Sequence, residues 1–402
     1  MNTEPTDEQF MQQALELARE GIALASPNPC VGAIVVARKG EIVGRGTHTY
    51  SGRKHAEALA IEQAGDSAKG ATLYLNLEPC SHHGRTGPCA DAVIAAAVKR
   101  VVCAMRDPNP LVAGQGLARL RDAGVEVCEG VCQAEARKLN EAFASYIRRK
   151  VPFVTLKTAM TLDGKIAPPP AELDDAGSSS LTPSGGWITS EAARAHVQKL
   201  RHDSDAIMVG VGTVIADDPL LTDRTGFLRR RPLLRVILDS RLRIPLDSRI
   251  VKTAREDVLV FCCFAEENKR RELESRGVMV EQVPMRRSDD GTIVFPTGSP
   301  NVDGRPELDR VMRNLGERKI TSLIIEGGAL VNWASLSAGI VDKIFFYYAP
   351  KILAGTGSIP FALGAGFRRI SEAATVKSLS LHRFGEDFAV EGYLRDPYEE
   401  SN

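Results

Sequence analysis

Two short segments limit what this chain can fold into: His55-Ala56-Glu57, and the run from Pro79-Cys80 through Ser81-His82-His83-Gly84-Arg85-Thr86-Gly87-Pro88 to Cys89. Each is tied to an element end. ATLYLNLEPC (71–80) reads as a strand that delivers Cys80. CADAVIAAAV (89–98) reads as a helix opening at Cys89, and residues 54–64 as a helix with His55 and Glu57 in its first turn. A helix N-terminus favours thiolate over thiol, and zinc binds the thiolate. Three such ligands leave a fourth position for water, whose pKa falls toward ~7 on the metal, giving hydroxide. Glu57, outside the ligand set, is the candidate proton shuttle.

His-x-Glu on one segment and Pro-Cys on another is the grouping of hydrolytic nucleobase deaminases. Here eight residues separate the two cysteines, not the usual two. A structural zinc site is the competing reading. It would take a fourth protein ligand, for which His82 or His83 is available, but it has no use for Glu57.

The rest of the first ~150 residues alternates helix and strand. Residues 7–25 form a helix with Phe10, Ala14, Leu17 and Ala18 on one face; 33–46 is a hairpin turning at Lys39-Gly40; 100–107 is a strand. Residues 116–130 read helix, glycine stop, strand, and 133–150 reads as one helix ending in Arg148-Arg149-Lys150, with Pro152 as the boundary. Strands then recur at 153–160, 206–210, 233–239, 258–264, 278–283, 322–328 and 343–352. Helices fall at 190–202, capped by Ser190, and at 306–317. Such alternation implies a mostly parallel sheet covered on both faces.

In that second half, Gly210-Val211-Gly212-Thr213-Val214-Ile215-Ala216 follows a strand in the loose G-x-G-x-x-G/A form. SLIIEGG (322–328) runs from strand straight into the helix starting ALVNWA. Glycines there let a phosphate reach free backbone N–H groups. Two tight turns would explain the same glycines; two such loops in one α/β domain point to a nucleotide.

Lysine plus arginine and aspartate plus glutamate number 51 each, and aromatics are 5% of the chain. That balance offers nothing to nucleic acid or an anionic membrane as partner. No apolar run reaches the ~20 residues of a membrane span, and MNTEPTDEQF is no secretory signal, which together predict the cytoplasm. Eight cysteines are too sparse for a disulfide scaffold. Cys30, Cys103, Cys128, Cys132, Cys262 and Cys263 lack ligand spacing and are expected as small buried apolar residues.

SPNPCVGAIVV (26–36), HAEALAI (55–61), LNLEPCSHHGRTGPC (75–89), MRDPNPLVAGQGL (105–117), TLKTAMTLDGKIA (155–167), GWITSEAAR (186–194), GVGTVIADDPLLT (210–222), VILDS (236–240), IEGGALV (325–331) and YYAPKILAG (347–355) resemble the bifunctional riboflavin-biosynthesis deaminase–reductase family over nearly the whole chain. The resemblance implies a cytidine-deaminase-like three-layer α/β/α domain at 1–150, followed by a dihydrofolate-reductase-like α/β domain at 151–402. The first would use Zn2+ to deaminate 2,5-diamino-6-ribosylamino-4(3H)-pyrimidinone 5′-phosphate. The second would use NADPH to reduce the ribosyl group of 5-amino-6-(5-phosphoribosylamino)uracil to ribityl. His55, Cys80 and Cys89 become the zinc ligands and Glu57 the shuttle, with Asn28, His48, His82 and Arg85 as contacts to ring or phosphate.

In the reductase half the family pattern puts the cofactor at Ala159, Trp187, Thr213, Asp217, Ser240, Gly328, Ala329 and Leu330. It puts the substrate at Lys157, Gly185, Arg201, Leu221, Arg224 and Glu326. Arg201 and Arg224 suit a 5′-phosphate, because guanidinium binds it bidentately, and Ser240-Arg241 suits the cofactor's extra phosphate. The family also implies a homo-oligomer, dimer or tetramer. The chain departs from the family's usual short connection between Lys165 and Trp187, and residues 168–182 are expected to be a dispensable flap. A cytosine or nucleoside deaminase with a regulatory nucleotide-binding C-terminal domain is the alternative, and a non-enzymatic zinc-stapled nucleotide sensor lies beyond it.

Overall fold

The computed structural model describes residues 5–52, 54–81, 87–169, 186–285 and 304–399. Contacts divide the chain into two compact units: one built on residues up to Lys150 plus Leu228–Arg231, the other on Val151–Phe227 and Pro232–Glu399.

The first unit centres on five strands: β1 (Gly32–Val36), β2 (Ile42–Thr47), β3 (Thr72–Leu75), β4 (Arg100–Cys103) and β5 (Glu126–Glu129), in the order β2-β1-β3-β4-β5. β1 runs antiparallel to β2 and β3, while β3, β4 and β5 are parallel. Glycine spacing decides how the helices cover this sheet. A side chain at Gly32 would meet the backbone of helix Asp7–Arg19 at 2.2 Å from Ala14 O. One at Gly46 or Gly44 would strike helix Ala56–Ala64 at Ala56 O or Ala60 O, 2.1 and 2.0 Å away. Gly32 pairs with Thr47, and Gly46 with Ala33, so the two glycine sets point to opposite faces. The two helices therefore lie one on each side, and the unit has three layers.

The N-terminal helix is fixed at its start by a capping box between Thr6 and Gln9. It ends at Arg19 rather than reaching residue 25. The single helix expected over 133–150 is two, Gln133–Leu139 and Glu141–Arg149. They break at Asn140, whose φ of −108° and ψ of 17° leave the helical region.

The second unit holds β6 (Phe153–Thr161), β7 (Lys165–Ala167), β8 (Ala206–Gly210), β9 (Leu234–Leu238), β10 (Val258–Cys262), β11 (Val278–Gln282), β12 (Ser322–Gly327), β13 (Lys343–Ala349), β14 (Ile359–Pro360), β15 (Lys377–Phe384) and β16 (Asp387–Tyr393). Nine of them form one sheet in the order β11-β10-β9-β8-β12-β6-β13-β16-β15; β7 and β14 pair separately. The sheet is parallel from β11 to β13, and β16 and β15 extend it antiparallel.

Alternation along the parallel strands divides the core. Ala206, Met208, Leu234, Val236, Leu259 and Phe261 pack with Val311, Met312 and Leu315 of helix Leu308–Glu317. Their neighbours Ile207, Val209, Ile237, Val258 and Val260 pack with Ile250, Val251 and Leu273. Both faces are mainly apolar, which is why these strands read as near-continuous hydrophobic runs; the exception is the buried Arg235 of β9, whose guanidinium is paired with Asp257.

Candidate active sites

In the first unit, β3 leads to Cys80, helix Cys89–Ala95 opens on Cys89, and helix Ala56–Ala64 opens one residue after His55. His55 is thus the N-cap residue and not part of the first turn. His55 Nδ1 lies 3.6 Å from Cys80 Sγ and 3.2 Å from Cys89 Sγ, and all three ligand atoms fall within 4.8 Å of one another. Zinc bonds of ~2.3 Å to sulfur and ~2.0 Å to nitrogen, at tetrahedral angles, put sulfur about 3.5 Å from nitrogen. The three side chains match that spacing.

Hydrogen bonds from Cys89, and then from His55, pull the Cys80 thiol down to about 4; one comes from the Cys89 backbone N–H, 3.3 Å from Cys80 Sγ. Cys89 is pushed up because it donates to Cys80. His55 is raised, chiefly by its bond to Cys80. Glu57 is only 3% exposed, and burial pushes its carboxyl to about 7.

The two described contact candidates sit together beside this cluster. Asn28 Nδ2 lies 3.0 Å from His48 Nε2, and the buried His48 ring meets the His55 ring edge-on, centroids 5.1 Å apart. His82, Arg85 and Gly185, and nearly all of the 168–182 segment, lie outside the described residues. Of the six cysteines not assigned to zinc, Cys103, Cys262 and Cys263 are buried as expected; Cys30, Cys128 and Cys132 are half-buried.

Three polar side chains that no motif or spacing singles out fix this neighbourhood. Asn76, fully buried, accepts from Gly32 N (2.9 Å) and donates to Cys30 O (2.9 Å). Asn140 accepts from Cys30 N (2.8 Å) and donates to the same Cys30 O (3.1 Å). The Asn28 turn is therefore held from two directions. Glu78, 5% exposed, spends its carboxylate on a distant loop. A charged residue inside the apolar run LNLEPC was the available clue.

In the second unit, most of the residues expected at the site gather at the carboxyl ends of the parallel strands, where open α/β sheets bind ligands. Arg201 grips Glu326 with two bonds, Nε to Oε1 at 2.6 Å and Nη2 to Oε2 at 3.0 Å, and Lys157 Nζ reaches Oε2 at 3.3 Å. Burial alone would raise the Glu326 carboxyl, but the Lys157 and Arg201 charges hold it at about 2. Arg201 also donates to Thr222 O, which ties it to the stretch after Leu221; Leu221 is buried at a φ of 52°.

Gly327 and Gly328 have φ of 27° and 78°. A side chain at Gly328 would lie 3.1 Å from Thr213 Oγ1, and one at Gly210 2.8 Å from Val331 Cγ2. The two strand-to-helix junctions, Gly210 ahead of helix Val211–Asp217 and Gly327-Gly328 ahead of helix Ala329–Ser337, thus pack closely side by side. A dinucleotide phosphate fits such a place. Ser240 follows β9, its carbonyl accepting from Cys263 N and Phe264 N. Ala159 lies in β6 opposite Tyr347. Trp187 is 69% exposed under the Arg194 guanidinium, while Asp217, Arg224 and Leu330 present exposed side chains. Ala329 is buried.

Fold and sites define a class: a two-unit enzyme pairing a zinc-type deaminase centre with a parallel-sheet reductase. Residues 4–105 match the cytidine and deoxycytidylate deaminase zinc-binding region, and residues 152–390 match the RibD C-terminal domain. Riboflavin biosynthesis protein RibD of Aquifex aeolicus is 40% identical over 96% of this chain and 97% of its own length; that of Escherichia coli is 38% identical over 95% and 97%. The solved RibD of Acinetobacter baumannii superposes with a TM-score of 0.77 at 35% identity, covering 96% of this chain and 98% of that one. A Thermotoga maritima diaminohydroxyphosphoribosylaminopyrimidine deaminase/5-amino-6-(5-phosphoribosylamino)uracil reductase gives 0.75 at 36%, with the same coverage.

The chain belongs to the RibD family of bifunctional riboflavin-biosynthesis deaminase–reductases. Its cofactors are Zn2+ and NADPH. Among the described residues no helix is long and apolar enough to cross a membrane.

Proposed function

We propose that the first unit deaminates 2,5-diamino-6-ribosylamino-4(3H)-pyrimidinone 5′-phosphate, and that the second reduces the ribosyl chain of the product; the similar Thermotoga maritima protein is named as a deaminase and reductase of this substrate class. The observation that carries the reading is the cluster of His55, Cys80 and Cys89 around one point with a buried carboxyl, Glu57, beside it.

In this reading His55 Nδ1 and the two sulfurs hold zinc. Zinc held there would act as a Lewis acid, lowering the pKa of water so that it is a nucleophile at neutral pH. Glu57 takes a proton as water attacks the ring carbon bearing the amino group, and returns it to the departing ammonia. A buried carboxyl beside the three ligands, raised by desolvation, suits both transfers. Asn28 and His48, paired with each other, orient the ring; His82 and Arg85 are further candidates for ring or phosphate.

In the second unit, Lys157, Arg201 and Glu326 form a polar floor for the substrate, with Leu221 and Arg224 as further contacts; Gly185 is a candidate from the family pattern. Arg201 and Arg224 are the candidates for its phosphate. NADPH supplies the hydride. Ala159, Trp187, Thr213, Asp217, Ser240, Gly328, Ala329 and Leu330 would hold and orient the cofactor. The same reading makes the protein a cytoplasmic homo-oligomer, dimer or tetramer. The exposed Leu379 and Leu381 of edge strand β15 support self-association, which sedimentation velocity reads directly.

Glu57→Gln tests the deaminase assignment. The variant should keep a full complement of zinc while ammonia release falls by about 100-fold or more. Unchanged ammonia release with zinc retained would remove Glu57 from the chemistry.

A further inference from the structure

Between β3 and Cys80 the chain runs Asn76-Leu77-Glu78-Pro79, and all four residues are buried. Glu78 alone carries a carboxylate there, and each of its oxygens accepts two backbone N–H groups. Oε2 takes Asp107 N (3.0 Å) and Gly114 N (2.8 Å); Oε1 takes Gly116 N (2.8 Å) and Leu117 N (3.2 Å). Its own N–H donates to Met105 O at 2.9 Å. One side chain thus closes a loop of some ten residues and seats helix Gln115–Asp122 at its first turn. Arg148 Nε secures the same loop from outside, donating to Pro108 O at 2.9 Å.

The joint is tight as well as polar. A Cβ on Gly116 would lie 1.9 Å from Pro79 O and 3.3 Å from Glu78 Cγ. The peptide immediately before Cys80 therefore rests on the backbone of Gly116. On its other side Cys80 is held by Ala90 N donating to its carbonyl (3.1 Å) and Cys89 N donating to its sulfur (3.3 Å). Cys80 is pinned between two helix starts, one bound directly and the other through Glu78.

We infer that Glu78 is a positioning residue of the deaminase: by binding four backbone N–H groups of the 107–117 loop it sets where Cys80 Sγ stands relative to His55 and Cys89. The inference rests on those three residues being the metal ligands. Glutamine at 78 keeps the shape but turns an NH2 toward two N–H donors, so the loop must shift. The effect passes to the ligand because Pro79 has no room to absorb it. Groups beyond the metal ligands commonly change affinity or activity by about 10–100-fold when altered.

The test is cobalt(II) loaded into the full-length protein in place of zinc. Its visible absorption reports ligand geometry, and its thiolate charge-transfer band reports the cysteines. Wild type should give the band and a tetrahedral spectrum. Glu78→Gln should shift and weaken the visible bands, release cobalt to a chelator at least about tenfold faster, and lower deaminase kcat with KM little changed. NADPH-dependent reduction of pre-deaminated substrate should stay at the wild-type rate and marks the protein as folded.

Gly116→Ala presses on the same joint with the carboxylate intact and should move the spectrum the same way, which covers the case of Glu78→Gln failing to fold. If both variants bind cobalt with the wild-type spectrum and release rate, Glu78 does not position Cys80, whatever happens to thermal stability. If wild type itself shows no thiolate charge-transfer band, the ligand reading falls and the inference with it.

Discussion

At Glu326 one buried carboxylate faces two cations, and this sets a pH dependence for the reductase unit. The Glu326 carboxyl is held at about 2, below the ~4.3 of an unfolded chain. A depressed folded value means the stabilisation is complete above the unfolded value and is lost as pH falls through the folded one. The increment, roughly 3 kcal/mol, should therefore persist down to about pH 4 and disappear between about 4 and 2. Glu326→Gln leaves Lys157 and Arg201 facing a neutral group in a buried site, and should destabilise the unit by about 3 kcal/mol at pH 7. Thermal unfolding of wild type and variant across pH 2–7 checks this. The variant should lack the wild-type loss below pH 4; parallel curves would contradict it. The residues of this triad were nameable in the sequence only through the family pattern, since 157, 201 and 326 have no spacing that betrays contact. His55, Glu57, Cys80 and Cys89 were nameable from chemistry, because ligand types and element ends coincided. Asn76, Glu78 and Asn140 escaped for a physical reason: their partners are backbone atoms far along the chain, and backbone carries no sequence mark.

At the scale of elements, the parallel strands are legible because burial on both faces makes them apolar runs, as in β8 and β10. Strands β15 and β16 were not. β15 is almost wholly exposed, so its alternation in KSLSLHRF had no core to answer to. The composition of 133–150 is helical throughout and predicts one continuous helix. What interrupts it is the Asn140 amide, committed to both polar atoms of Cys30. The three-layer form of the first unit depends on helices lying very close to the sheet at glycines. Gly32→Val should drive methyl groups into the backbone of helix Asp7–Arg19 at Ala14 and Ala18. We expect a loss of more than about 2 kcal/mol, read as a fall in the urea midpoint of the first unit. An unchanged midpoint would mean the helix can retreat from β1 at little cost.

At the scale of the molecule, two units with different chemistry share one chain, and the chemistry dictates their order. The reductase works on a product whose ring amino group has already been exchanged for oxygen. The chain's zero formal net charge gives no long-range field to attract an anionic substrate, so its capture falls to local groups. One polypeptide performs both steps, and mass spectrometry of the phosphorylated diaminopyrimidine resolves them. With zinc-loaded protein and no NADPH, the substrate should change by the mass of O replacing NH and stop there. On adding NADPH it should gain a further hydride and proton. A product that gains hydrogen without first exchanging NH for O, or a substrate left unchanged by zinc-replete protein, would contradict the account.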